Sequence, residues 1–146
     1  MRTQKLYFLK GLPASGKSTW ARQKIEEDRH KGIVTKRVNK DELRAMMDNS
    51  NHSKEREQFV LYVRDVIIYS AIENGYNVII DDTNFHSKHF EAIKDIVSNV
   101  SENNIDCEII EKFFDTPFQE CIERDKSREN PVGAKVIRDM YNKYLA

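Results

Sequence analysis

Eight residues near the start of the chain, Gly11-Leu12-Pro13-Ala14-Ser15-Gly16-Lys17-Ser18, constrain the fold more than any other feature. They satisfy G-x-x-x-x-G-K-[ST] at every fixed position, and the context fits as well. A short apolar run, Leu6-Tyr7-Phe8-Leu9, precedes them and a helix-like stretch, Ser18 to Asp28, follows. Strand, glycine loop and helix in that order form a phosphate cradle: successive amides turn inward and the helix N-terminus adds partial positive charge. Gly11 and Gly16 provide close approach and backbone freedom. Lys17 is expected on the β- and γ-phosphates, and the Ser18 hydroxyl on Mg²⁺. Gly11, Ala14, Ser15, Gly16, Lys17, Ser18 and Thr19 are therefore the expected donor-binding set.

The rest of the chain alternates strand-like and helix-like segments. Strands are expected at Ile33 to Val38, Asn77 to Asp81 and Ile105 to Phe114. The unbroken β-branched run before Asp81 marks a strand buried on both faces, and the mixed pattern of the last strand places it toward an edge. Helices are expected from Asp41, over Glu55 to Glu73, from a Ser87 cap to about Ser101, after a Thr116 cap with Pro117 in the first turn, and over Ala134 to Tyr144. In the long helix, Phe59, Val63, Val66, Ile67 and Ser70 share one face at helical spacing and are expected to meet the core. The alternation predicts an α/β fold: a three-layer sandwich around a parallel sheet of about four strands, in one domain spanning residues 1–146 with a C-terminal lid at about 124–135.

The 146 residues carry equal numbers of basic and acidic side chains, which argues against a protein that coats nucleic acid. Basic residues nevertheless outnumber acidic ones in 1–44 and 124–146, and acidic ones dominate between, as a polyanion groove on one face would require. No apolar run approaches the ~20 residues that span a bilayer, so no membrane association is expected. Cys107 and Cys121 lack metal-ligand spacing and read as free thiols of a reducing cytoplasm. His30, His52, His86 and His89 form no ligand pair and are expected on the surface, with Trp20 in the core.

Three clusters sit where ligands gather, outside the carboxyl ends of parallel strands. Asp41 and Arg44 are one helical turn apart after the second strand, a carboxylate able to take a proton and a fork able to hold a phosphate. Asp81-Asp82-Thr83-Asn84 ends the third strand, with either aspartate eligible as the acidic partner of the loop. Arg124 and Arg128 are four apart, on one expected helical face just before Asn130-Pro131-Val132-Gly133, and suit a mobile lid laying an arginine on the transferring phosphoryl group.

In this ordered set the chain resembles the 5′-kinase domain of phage-type polynucleotide kinase-phosphatases over nearly its whole length. The residues that carry the resemblance are Gly16-Lys17-Ser18-Thr19-Trp20-Ala21-Arg22, Asn39-x-Asp41-x-x-Arg44, Asp82-Thr83-Asn84, Arg124-x-x-x-Arg128 and Val136-Ile137-Arg138-Asp139-Met140-Tyr141. The resemblance implies transfer of the γ-phosphate of ATP, or another nucleoside triphosphate, to 5′-OH ends of DNA or RNA. It implies Lys17 and Ser18 on donor phosphates and metal, and Asp41 as general base. It further implies Arg44 with Asp82 and Thr83 on the acceptor's 3′-side phosphate, and Arg128 with Arg124 on the donor from the lid. A cytoplasmic site is implied, that of the host if the chain is phage-encoded, and a homo-oligomer is left open. The chain departs from the pattern at Lys40, Glu42, Asp81 and Gly133, and its lid after Arg128 is one residue shorter. Two other readings stay open: a small-molecule kinase of the same fold, and a nucleotide-binding protein without catalysis.

Overall fold

The computed structural model describes residues 3–146. Its elements alternate as β1 (Gln4–Gly11), α1 (Lys17–His30), β2 (Thr35–Val38), α2 (Lys40–Asp48), α3 (Lys54–Glu73), β3 (Asn77–Ile80), α4 (Ser87–Glu102), β4 (Cys107–Phe114), α5 (Phe118–Lys126) and α6 (Ala134–Tyr144). All strand pairs are parallel, in the order β2-β3-β1-β4. This is the expected α/β architecture with a four-stranded sheet. Every residue of β3 is buried and β4 lies at an edge, as their sequence patterns predict.

Strand alternation divides the core between two layers. Leu6 and Phe8 of β1, with Val78 and Ile80 of β3, pack against Val60, Ile68, Ile72, Ile93 and Val100 of α3 and α4. Tyr7, Leu9 and Ile79 point the other way, toward Ala21 and Ile25 of α1. Trp20 joins this second layer, edge-on to Tyr7 and Phe114 at ring-centroid distances of 5.5 and 6.3 Å. A third cluster, Leu12, Phe85, Cys121, Ile122 and Ile137, secures α5 and α6 beside the phosphate loop.

Several local expectations are corrected. The inward face of α3 carries Val60, Arg64, Ile68, Ala71 and Ile72, while Phe59 and Val66 are exposed. Apolar residues surround much of this helix, so periodicity alone does not orient it, and Arg64 in the inward stripe disguises it. Arg64 is 2% exposed, with Nε 2.9 Å from Asp65 Oδ1 and Nη1 3.0 Å from His89 Nδ1. His89 is therefore buried, not on the surface. A guanidinium only donates, so Nδ1 of His89 must accept.

Helix caps also differ. α4 is capped by His86, whose Nδ1 accepts from the Lys88 amide, and Ser87 is its first residue. Thr116 does not cap α5; its hydroxyl donates to the Ser15 carbonyl at 2.9 Å instead. Asn39 caps α2 by accepting from the Glu42 amide, and its Nδ2 donates to the Asp81 carbonyl at 2.6 Å. One side chain thus fixes the first turn of α2 to the end of β3.

Candidate active site

The loop between β1 and α1 closes on itself. The Ser15 amide donates to the Leu12 carbonyl at 3.2 Å, and the Gly11 amide to the Thr83 carbonyl at 3.2 Å. A Cβ on Gly11 would lie 2.8 Å from Ser15 Oγ and 3.0 Å from Phe114, so the close approach requires glycine. Gly16 has φ 105° and starts α1 without a side-chain cap, which leaves the first amides of the helix for a ligand. Lys17 is buried, its Nζ donating to the carbonyls of Gly11 and Leu12 at 2.9 and 2.7 Å. Burial pulls its ammonium down to about 8, against the pull of Asp81 and Asp82.

The two aspartates after β3 divide between neighbouring subsites. Asp81 Oδ2 accepts from Ser18 Oγ at 2.7 Å, on the side of the phosphate loop. Asp82 Oδ1 accepts from the Lys40 amide at 2.9 Å, at the first turn of α2. Burial pushes the Asp82 carboxyl up to about 6, opposed by Lys40. Asp81 Oδ1 and Asp82 Oδ2 are buried without a hydrogen-bond partner among the described residues. Buried carboxylate oxygens are rarely left unpaired unless something else uses them.

The Ser18 hydroxyl and the lone oxygen of Asp81 are hard donors of the kind that suit Mg²⁺. Among the described residues no three acidic, histidine or cysteine side chains form a cage for a metal. A magnesium ion here would therefore take most of its oxygens from nucleotide and water, as such ions do beside phosphates.

Asp41 and Arg44 meet as their spacing predicts, with Arg44 Nη1 2.6 Å from Asp41 Oδ1. The Asp41 side chain is 74% exposed and faces open solvent beyond the loop. Glu57 of α3, absent from the sequence reading, takes the remaining fork: Arg44 Nε and Nη2 donate to its two oxygens, each at 2.6 Å. That hydrogen bonding holds the Glu57 carboxyl below its usual range. The arginine is preset in the bidentate geometry used for carboxylates and phosphates. Thr83 bonds the loop through its backbone, and no hydrogen bond joins it to Arg44 among the described residues.

The segment expected as a lid begins while α5 is still helical. Arg124 ion-pairs with Glu120 at 2.6 Å, and its Nη1 lies 3.8 Å from where a Gly16 Cβ would stand. α5 ends at Lys126, so Arg128 lies beyond the helix and does not share a helical face with Arg124. Buried Asp125 sets the segment instead, accepting from the amides of Val132 and Gly133 at 3.1 and 2.9 Å and from Arg128 at 3.3 Å. In the sequence this aspartate reads as a spacer between basic residues.

A family model described as an AAA domain matches residues 6–145. The L-seryl-tRNA(Sec) kinase of Methanococcus maripaludis is 26% identical over 139 residues, which is 95% of this chain and 52% of that protein. A chain of the Pnkp1/Rnl/Hen1 RNA repair complex superimposes with a TM-score of 0.74 and 27% identity, covering 99% of this chain and 45% of that one. The APS kinase CysC of Mycobacterium tuberculosis, in complex with AMPPNP and APS, superimposes with a TM-score of 0.68 at 24% identity, a likeness in fold that covers 86% of this chain and 70% of that one. The chain thus spans about half the length of the curated relative. No helix among the described residues is long and apolar enough to cross a membrane.

Proposed function

We propose, from the premise that this chain belongs to the AAA domain family and has the P-loop kinase fold, that it is an ATP-dependent polynucleotide kinase acting on 5′-hydroxyl ends of DNA or RNA. One observation carries the reading. The consecutive residues Asp81 and Asp82 join a phosphate loop to a helix turn that holds an aspartate and a phosphate-shaped arginine fork. Similarity to a chain of an RNA repair complex supports a nucleic-acid acceptor.

In this reading the loop amides and Lys17 hold the β- and γ-phosphates, with Arg124 and Arg128 closing over them. Ser18, with Asp81 beside it, would hold Mg²⁺, which when bound neutralises charge on those phosphates. Arg44 exchanges its Glu57 carboxylate for the phosphate on the 3′ side of the terminal nucleotide, with Asp82 and Thr83 flanking it. Asp41 takes the proton from the 5′-hydroxyl as that oxygen bonds to the γ-phosphorus, and the bond to the β-phosphate oxygen breaks to release the nucleoside diphosphate. The arginine orients the terminus so that hydroxyl, phosphorus and leaving oxygen line up.

The seryl-tRNA kinase relative favours a second reading, transfer to a hydroxyl other than a 5′ end. Transfer of label from ATP to a 5′-OH oligonucleotide, with nucleoside 3′-monophosphates, free nucleosides and seryl-tRNA as competitors, separates the two. Labelled 5′ ends are expected. A protein that leaves such ends unmodified and labels another competitor would overturn the proposal.

A further inference from the structure

Arg37, the third residue of β2, has no part in the roles given above, yet its side chain reaches Asp81, Glu42 and Ser18 at once. Its side chain is 12% exposed. Nε donates to Asp81 Oδ2 at 2.8 Å, Nη1 lies 2.9 Å from both Glu42 oxygens, and Nη2 reaches Ser18 Oγ at 3.3 Å. Asp81 Oδ2 also accepts the Ser18 hydroxyl, so one oxygen receives two donors while Oδ1 is buried with no partner among the described residues.

The charges explain why Arg37 is there. Asp81 is 1% exposed, and buried carboxylates are as a rule paired with a cation. The guanidinium supplies it, and its fork fixes the plane of the carboxylate. With its proton committed to Asp81 and one lone pair facing Arg37 Nη2, Ser18 Oγ keeps its second lone pair for another partner. Glu42, in the first turn of α2, accepts from Nη1 at the other end of the fork.

We infer that Arg37, braced by Glu42, is a positioning residue that fixes the orientation of the Asp81 carboxylate, so that Ser18 Oγ and Asp81 Oδ1 together serve the divalent cation that accompanies the donor nucleotide. The inference rests on the donor half of the proposed function and is independent of the acceptor. An ion pair serving only the fold would change thermal stability and leave the metal requirement alone.

Equilibrium dialysis of a labelled non-hydrolysable ATP analogue across a Mg²⁺ series, on the full chain, reads this without turnover. For Arg37→Ala and Arg37→Gln, affinity without metal is expected to stay within about twofold of wild type. The Mg²⁺ concentration giving half of the metal-dependent gain in binding is expected to rise about tenfold. Arg37→Lys, which keeps the charge and loses the fork, is expected to fall between, and Glu42→Gln to rise by less. Unchanged Mg²⁺ midpoints would overturn the inference, and so would lower ones, which would make Arg37 a competitor of the metal. If Arg37→Ala and Arg37→Gln fail to fold, Arg37→Lys and Glu42→Gln decide alone, and midpoints equal to wild type in both would refute it. Wild-type protein that binds no nucleotide at any Mg²⁺ concentration would overturn the donor site itself. Normal binding with unaltered midpoints would remove only the role of Arg37.

Discussion

The two halves of the candidate site are built from different materials. On the donor side the contacts are mainly backbone: loop carbonyls hold buried Lys17, Gly11 fits because it lacks a side chain, and an uncapped helix start offers amides. On the side proposed for the acceptor they are side chains. Asp41 is largely exposed, and Arg44 is held by the carboxylates of Asp41 and Glu57. A backbone site comes with the fold and persists through sequence change, whereas a side-chain site is rewritten by a few substitutions. The similar proteins fit that division. A seryl-tRNA kinase, a chain of an RNA repair complex and an APS kinase share this architecture, and their names describe different chemistry.

The contrast can be broken by experiment. Asp41→Ala should reduce phosphoryl transfer by roughly a hundred- to ten-thousandfold and leave donor affinity near wild type, because it removes the proposed proton acceptor and one brace of Arg44 while leaving the phosphate loop intact. Label transfer combined with nucleotide dialysis checks this, and a parallel loss of donor binding would show that the halves are not separable. Lys17→Ala should reduce transfer by roughly a hundred- to a thousandfold and weaken donor binding as well, since one group serves both. Arg44→Ala should cost about ten- to a hundredfold in kcat/KM for acceptors bearing a 3′-phosphate, the worth of a charge-assisted hydrogen bond. Free nucleosides should be unaffected, and an equal loss on both acceptors would contradict a phosphate clamp.

A last prediction concerns stability near Lys40 and Arg64 rather than activity. Burial pulls His89 down to about 3, with Lys40 and Arg64 adding to the shift. The unfolded chain takes up this proton first, so the contribution of neutral His89 is intact above its unfolded value of 6.5 and is lost as pH falls toward 3. The slope is about 1.4 kcal/mol per pH unit at most. His89→Gln should therefore resist acid better than wild type between those values, read as a shallower fall of Tm with pH. Identical profiles would show that the imidazole does not titrate with unfolding.

What was legible in the sequence was local. The phosphate loop, the alternation of elements, the buried β3 and the edge position of β4 all follow from residues within a few positions of one another. The Asp41–Arg44 pair does too, since three residues along a helix bring them onto one side. What escaped were charged residues whose partners are distant in the chain. Arg64 reads as solvent-facing until His89 arrives from α4, and Arg37 reads as a polar strand residue until Asp81 lies beside it. Glu57 reads as one of several acids at a helix start until Arg44 reaches it. A basic residue inside an otherwise apolar helix stripe, as at Arg64 between Val60 and Ile68, is the available sequence signal for such a buried charge.

Thr116 has a further consequence for the order in which the protein matures. Its hydroxyl secures the carbonyl of Ser15 across 101 residues of sequence, and β1 lies between β3 and β4, which both follow it by a long stretch. On a ribosome adding about 5–20 residues per second, the cradle's own sequence emerges roughly 5–20 s before the threonine that latches it. The nascent chain thus carries its oldest motif in an unfinished state. The β1–β4 pairing and the Thr116 latch can both be in place only after residue 116 has been translated, so products truncated before Cys107 should lack both.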